Sequence, residues 1–343
     1  MKRGISVIVC CYNSEKRLTE TLNHLICQKI SGFDWEIIVV DNASTDWTSL
    51  LSQQILSAKL DSEKFKIVIE QHSGLSSARK KGYLTAKFNY LLFCDDDNWL
   101  NENYMQSAFS IMERNPTIGI LGGKGDAVFE KAKPKWFNTY QINFAVGSQS
   151  YDVSEVSKIE TAYGAGFLVR KEIFKTLDSI GFESLLSDRK GSDLMSGGDT
   201  ELCYITKYLG YEIAYCSSLQ FKHLMPDGRM NWSYMKRLYY GFGRMRVYTH
   251  AYKLLETTNQ TPGQGLRFPL WLDKYLHLLK ELNYFLPLVM FKLNEEGNDT
   301  VLKYYALLGE LKELRTLKKD YALVFEKIIA LKTRIAAFKS IAH

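Results

Sequence analysis

Asp95, Asp96 and Asp97 stand side by side directly after Tyr90-Leu91-Leu92-Phe93-Cys94, five residues without a charge. An apolar run of that length reads as a strand buried on both faces, which puts the three acids at its C-terminal end. Adjacent carboxylates repel one another unless a cation neutralises them, and hard divalent ions such as Mn2+ or Mg2+ prefer carboxylate oxygens. A solvated acidic turn would carry the same residues. Five more side chains have the chemistry to join a site around the triplet. Asp41, closing the expected strand Trp35–Val40, could accept a hydrogen bond from a ligand or could simply form a turn. Tyr12, after the first apolar run, offers a flat face for stacking or for the core. Arg79 lies at the start of a helical segment, where free N–H groups and a fixed positive charge favour phosphate, although Arg79-Lys80-Lys81 also fits a solvated basic face. Asp199 follows two glycines at a helix N-terminus, where an acid could reach a substrate or only cap the helix. His223 precedes a Pro-Asp-Gly turn; it could be a metal ligand or a structural histidine.

The elements that must position these residues alternate in type. Ile5–Cys11 is expected as a strand, 15–28 as a helix, Trp35–Val40 as a strand, 47–60 as a helix, 66–70 as a strand, 76–87 as a helix, and then the strand that ends at Asp95. Strands separated by helices of ten to fifteen residues predict βαβ units and a mostly parallel sheet, whose ligand lies beyond the C-terminal strand ends. Asp41 and the triplet both fall there. A helix over 101–114 follows, then an irregular region, 117–165, read as short strands and a mobile loop with Trp136, Phe137, Tyr140 and Phe144. Next come a strand over 164–170, a helix over 171–180, a flexible loop over 191–198, a helix over 199–209 and a strand over 212–215. The fold class is therefore α/β, with a central sheet flanked by helices.

Beyond about Met225 the pattern turns helical: 232–250, a Pro/Gly break at 261–265, and 270–292. Leu314, Leu317, Tyr321, Val324, Ile328, Leu331, Ile335 and Phe338 recur at spacings of three and four, which predicts one last helix. Its stripe could pack on its own domain, form a homodimeric coiled coil, or lie on a membrane surface.

Composition excludes several classes. Apolar residues make up 46% and charged residues 24%, ordinary for a soluble globular protein. The six cysteines lie mostly in apolar runs without CxxC spacing, which predicts reduced thiols in a cytoplasmic protein and argues against disulfides or zinc. Met1-Lys2-Arg3-Gly4 with the following apolar run imitates a signal peptide, but it is short and runs into Tyr12-Asn13-Ser14-Glu15, so a first strand is expected. No window reaches the ~20 apolar residues of a membrane helix. The net charge of +6 is concentrated late: Thr300–His343 holds nine Lys or Arg against four Asp or Glu. Such a face could meet anionic lipid at the inner membrane surface or a polyanion; no nucleic-acid-binding motif accompanies it.

Six segments carry a resemblance. Ser6–Asn13, Glu36–Asp46, Gly74–Arg79, Asp95–Asp97, Gly198–Leu202 and His223–Pro226 resemble, in order and spacing, the motifs of family 2 glycosyltransferases with the GT-A fold. The resemblance covers about residues 4–230. It implies a GT-A domain over 1–225, with 1–97 binding a nucleotide-sugar and 98–225 meeting the acceptor, and a C-terminal helical region over 226–343. It further implies that Asp41 and Tyr12 meet the base, that Asp95 reaches the ribose, and that Arg79 faces phosphate. Asp96 is given a lesser, orienting part among the donor contacts and is expected to tolerate change best. Asp97 would bind the Mn2+ or Mg2+ that bridges the diphosphate, with His223 near the cation. Asp199 would be the base that removes the acceptor's proton. Many relatives carry Glu-Asp where this chain has Gly198-Asp199, so Asp199 is the acid that survives, with Glu201 an inferior candidate. Cys10-Cys11 replaces the usual proline and small residue, which leaves donor preference open. The implied function is inverting transfer from a UDP-sugar or related donor to a hydroxyl of a glycan or lipid-linked acceptor in surface polysaccharide synthesis. The alternatives are a sugar nucleotidyltransferase, which should carry a Gly-rich basic loop after the first strand, and a non-catalytic sugar-nucleotide-binding assembly subunit.

Overall fold

The computed structural model describes residues 2–152, 154–186, 194–256 and 271–342. It divides into two compact units. The first comprises Met1–Glu130, Tyr140–Asp178 and Ile205–Met225; the second comprises Lys131–Thr139, Ser179–Tyr204 and Pro226–His343.

In chain order the elements are β1 (Lys2–Cys11), α1 (Leu18–Ile26), β2 (Asp34–Asp41), α2 (Thr48–Ser57), β3 (Phe65–Ile69), α3 (Leu75–Thr85), β4 (Phe88–Asp95), β5 (Asn98–Leu100), α4 (Tyr104–Arg114), β6 (Ile118–Phe129), α5 (Phe137–Tyr140), β7 (Val156–Lys158), β8 (Leu168–Arg170), α6 (Lys171–Ser179), α7 (Gly198–Tyr208), β9 (Glu212–Met225), α8 (Trp232–Glu256), α9 (Trp271–Val289), α10 (Asp299–Thr316) and α11 (Tyr321–Ala342). All the strands form one sheet in the first unit, ordered β3-β2-β1-β4-β8-β6-β9-β5, with β7 also on β9. β1 to β4 are parallel, as the alternation of apolar runs and helices predicts. Beyond β4 the sheet is mixed: β8 is antiparallel to β4 and β6, β5 and β7 are antiparallel to β9, and β6 runs parallel to β9.

The runs are largely apolar because both sheet faces are covered, and the two polar residues inside them, Ser6 and Glu36, are buried with the Ser6 hydroxyl donating to Glu36 at 2.8 Å. Ile5, Val7, Val9 and Cys11 of β1 pack with Leu18, Leu22 and Leu25 of α1 and with Met105, Phe109 and Met112 of α4. Each such fully buried leucine contributes roughly 1.5–3 kcal/mol. On the other face Gly82 brings α3 against Ile8 and Val40 so closely that a Cβ there would meet the Ile8 side chain. Tyr83 stacks on Phe174 of α6, and Phe93 of β4 packs on the same ring.

The region expected to be irregular holds instead a twelve-residue strand, β6. Gly119, Gly123 and Gly125 read as breakers, yet each admits a close neighbour: Thr206 and Tyr211, Leu219 O and Tyr104, and Ala145 O respectively. β9 likewise runs ten residues past the expected end, its second half alternating buried Leu219, Phe221, His223 and Met225 with outward-facing Gln220 and Lys222.

In the second unit α8 and α10 approach closely, with Gly243 against Ala306 O and Gly309 against Tyr240 O. Arg244 Nε and the Tyr248 hydroxyl both donate to Glu313 at 2.8 Å, and Lys274 pairs with Glu310 at 2.9 Å. The expected single last helix is two, α10 and α11, separated by a turn in which Asp320 N donates to Leu317 O at 2.7 Å. Leu314, Tyr321, Val324, Ile328, Leu331 and Ile335 are all buried within the chain, so the stripe is a packing surface of the monomer. The loop at 191–193 and the Pro/Gly break at 261–265 lie outside the described residues. Among the described residues no helix is long and apolar enough to cross a membrane.

Candidate active site

The topology of the first unit collects the acids. β1 lies between β2 and β4, with Cys11 in register with Asp41 and Cys10 with Asp95. The chain passes from β1 to β2 on one side and returns to β4 on the other, so the strand order reverses beside β1, where ligands of open α/β sheets bind. Asp41 and Asp95 end strands two places apart, about 10 Å at the usual strand spacing.

The loops after β1 and β2 brace each other. Asn13 (φ 49°) and Ala43 (φ 59°) adopt left-handed backbone, which short polar side chains such as asparagine tolerate best. Asn13 Oδ1 accepts from Thr45 N at 2.8 Å, and Asn13 N donates to Ser44 Oγ at 3.0 Å. Asp41 is buried and accepts from Ser44 N at 3.0 Å and from the Ser49 hydroxyl. Its carboxylate thus holds its own turn while sitting at the strand end. Tyr12, by contrast, is 51% exposed.

The triplet divides into three different environments. Asp95 closes β4 and is half-buried. Asp96 is buried and turned into the protein, where Arg17 grips it with two donors, Nε to Oδ1 at 2.9 Å and an Nη to Oδ2 at 2.7 Å, and Ser14 Oγ also donates. Burial and then the neighbouring Asp97 push the Asp96 carboxyl up, while Arg17 and Ser14 oppose them. This fork contradicts the expectation that Asp96 tolerates change best, because its loss would leave Arg17 without the carboxylate that accepts two of its donors.

Asp97 is buried beside His223, with Asp97 Oδ1 3.3 Å from His223 Nε2. Asn98 Nδ2 donates to the same Oδ1 at 3.2 Å, and Asn98 Oδ1 accepts from Asp95 N at 3.3 Å. His223 is buried, and its Nδ1 has no hydrogen-bond partner among the described residues. These residues fit a divalent ion. Adjacent ligands on an ion with bonds of ~2.1–2.3 Å stand roughly 3.0–3.3 Å apart, and a carboxylate with an imidazole is a common donor pair. Among the described residues no group of three or more acids, histidines or cysteines is placed to hold a metal ion by itself.

Arg79 lies one turn into α3, and its guanidinium is 5.9 Å from the ring centroids of both Phe93 and Phe167. Those buried rings fix a flat cation near the end of β4. Upstream, Asn42 Nδ2 donates to Glu70 O and His72 O, and its Oδ1 accepts from Gly74 N at 2.7 Å, so one side chain shapes the loop that starts α3. Three residues not singled out in the sequence therefore hold the site: Arg17, Asn42 and Asn98. Asn42 lies within the second resembling segment and Asn98 next to the triplet; for Arg17 no linear signal exists.

Asp199 belongs to the second unit, half-buried in the first turn of α7. Glu201, two residues on, is buried, accepting from Leu185 N at 2.9 Å, from the Tyr252 hydroxyl at 2.7 Å and from Ser184 Oγ. Burial pushes its carboxyl up against these donors. Glu201 is thus an internal anchor.

Comparison with known proteins places these observations. The family model described as glycosyl transferase family 2 matches residues 6–178. The glycosyltransferase GlyA of Streptococcus pneumoniae is 24% identical over 180 residues, 50% of this chain and 25% of that protein. The poly(ribitol-phosphate) beta-N-acetylglucosaminyltransferase TarS of Staphylococcus aureus is 33% identical over 140 residues, 38% of this chain and 24% of that protein. The chain thus spans about a quarter of the length of these relatives. A crystal structure of GalNAc-T7 with UDP, GalNAc and Mn2+ shares the fold at a TM-score of 0.51 and 15% identity, covering 74% of this chain and 51% of that one.

Proposed function

The chain belongs to glycosyl transferase family 2, and from that premise we propose that it is a metal-dependent, inverting glycosyltransferase using a UDP-sugar to extend a glycan or lipid-linked acceptor in surface polysaccharide synthesis. The observation that carries the reading is the 3.3 Å approach of Asp97 Oδ1 and His223 Nε2 beyond the C-terminal ends of the parallel strands. Names of similar proteins, poly(ribitol-phosphate) glycosyltransferases among them, support the acceptor class.

In this reading Tyr12 stacks on the base, Asp41 accepts a base N–H, Asp95 takes a ribose hydroxyl, and Arg79 faces the diphosphate. Asp96 orients the turn that carries Asp97. Asp97 and His223 hold Mn2+ or Mg2+, which when bound supplies Lewis-acid neutralisation of charge on the leaving diphosphate. Asp199 removes the acceptor hydroxyl's proton as the new C–O bond forms and the anomeric bond to the diphosphate breaks on the opposite face. Peripheral contact with the inner membrane surface belongs to the proposal, supported by Tyr284, Leu288 and Phe291, exposed along α9 and the turn after it. A homodimer through the C-terminal helices would have to use faces other than the buried stripe of α11.

The test is to incubate the protein with Mn2+ and a panel of nucleotide sugars, with and without acceptor, and follow free nucleoside diphosphate. Acceptor-stimulated release is expected. Donor binding without turnover would point to the assembly subunit, and no metal-dependent binding of any donor would overturn the reading.

A further inference from the structure

Arg17 makes more contacts than a salt bridge requires. Besides the two donors on Asp96, its guanidinium donates to Asn13 O at 3.0 Å and Tyr12 O at 3.1 Å. Asp96 in turn is fixed from both ends, its carboxylate by Arg17 and Ser14 and its carbonyl by Thr21 Oγ1 at 2.9 Å. One side chain therefore bolts the loop that presents the exposed Tyr12 ring to the turn that presents Asp97.

A planar, five-donor guanidinium in a bidentate fork permits little relative motion, unlike a single-point ammonium. The arrangement also separates the work of the three acids. Asp96 serves as the internal counter-charge of Arg17, which keeps that carboxylate away from a cation bound at Asp97. A nucleoside diphosphate must meet a base platform and a diphosphate-binding point at a fixed separation, and misplacement of either end costs affinity for the whole ligand.

We propose that Arg17 is a positioning residue for the donor: through its fork on Asp96 and its bonds to the Tyr12 loop, it sets the span between the base-stacking face and the metal-binding turn. This rests on the donor-site reading above. It separates two ligands that share the metal turn. Pyrophosphate with Mn2+ engages the Asp97–His223 pair and Arg79 but not the base platform, whereas UDP with Mn2+ needs Tyr12 in place as well.

The experiment is calorimetric titration of UDP and of pyrophosphate, each with saturating Mn2+, into wild type, Arg17→Met, Arg17→Lys and Asp96→Asn, with melting curves to verify folding. Arg17→Met should weaken UDP binding by about tenfold to a hundredfold, the range for loss of an orienting partner, while pyrophosphate binding changes by less than about threefold. Arg17→Lys should recover part of the UDP loss, and Asp96→Asn should show the same split between ligands. If Arg17→Met does not fold, the last two variants carry the comparison. Equal weakening of both ligands, or of neither, would overturn the inference. Failure of the wild type to bind UDP with Mn2+ would bring down the donor-site reading and this inference with it, an outcome distinct from any confined to the variants.

Discussion

Asn98 stands opposite His223 in the antiparallel pairing of β5 with β9, and that register sets Asp97, one residue earlier, beside the imidazole. Leu224 N donates to Asp97 O at 2.9 Å and fixes the backbone of the same turn. The candidate metal-binding pair is thus assembled by a three-residue strand recruiting a residue 126 positions further along the chain.

Removing either member of that pair should have separable effects. Asp97→Asn deletes the anionic ligand and should weaken Mn2+-dependent UDP binding by more than about a hundredfold, while His223→Ala, which leaves the carboxylate, should cost about tenfold to a hundredfold. Calorimetry with and without Mn2+ reads both; metal-independent binding of equal strength in all three proteins would remove the pair from the site.

Asp199→Asn should abolish sugar transfer and leave donor affinity within about threefold of wild type, because a general base acts on the acceptor's proton and not on donor recognition. Transfer assays paired with donor titration decide this. Normal turnover in the variant would assign Asp199 to helix capping.

Glu201 gives a pH prediction. Burial holds its folded-state value above the ordinary 4.5, so the folded protein binds the proton more tightly than the unfolded chain. The stabilisation that this proton brings is complete below pH 4.5 and is lost as pH rises through the raised value. Glu201→Gln does not titrate, so its melting temperature should fall short of wild type most at acid pH, with the gap closing by a few degrees as pH rises. A constant gap across that range would show that the carboxyl does not titrate with folding.

Gly309→Ala should lower stability by about 1–3 kcal/mol, since its Cβ would run into Tyr240 O of the facing helix and backbone cannot yield as a flexible side chain can. Chemical denaturation with unchanged slope would read this as a simple stability loss.

The parallel half of the fold was legible because Ile5–Cys11, Trp35–Val40 and Tyr90–Cys94 are short, largely apolar runs separated by helical segments, broken only by Ser6 and Glu36, which are buried and hydrogen-bonded to each other. β6 was hidden because its glycines serve close approach rather than turning, and sequence alone does not display the Leu219 and Ala145 carbonyls that they admit. The break between α10 and α11 was hidden for the opposite reason: Leu314, Leu317 and Tyr321 keep helical spacing straight through it. At the site, the acids and His223 announce themselves by type. Arg17 does not, since its partner lies 79 residues away and its own neighbourhood, Glu15-Lys16-Arg17, reads as ordinary helix surface.

β5 carries a consequence for how this chain can change by descent. A lineage that gained one residue between Asp97 and Asn98 would keep every acid and the histidine, yet a one-residue slip turns alternate side chains to the opposite face of a strand. The carboxylate would then point away from His223 with no side chain altered. What a descendant must inherit is a count of residues as well as a set of side chains.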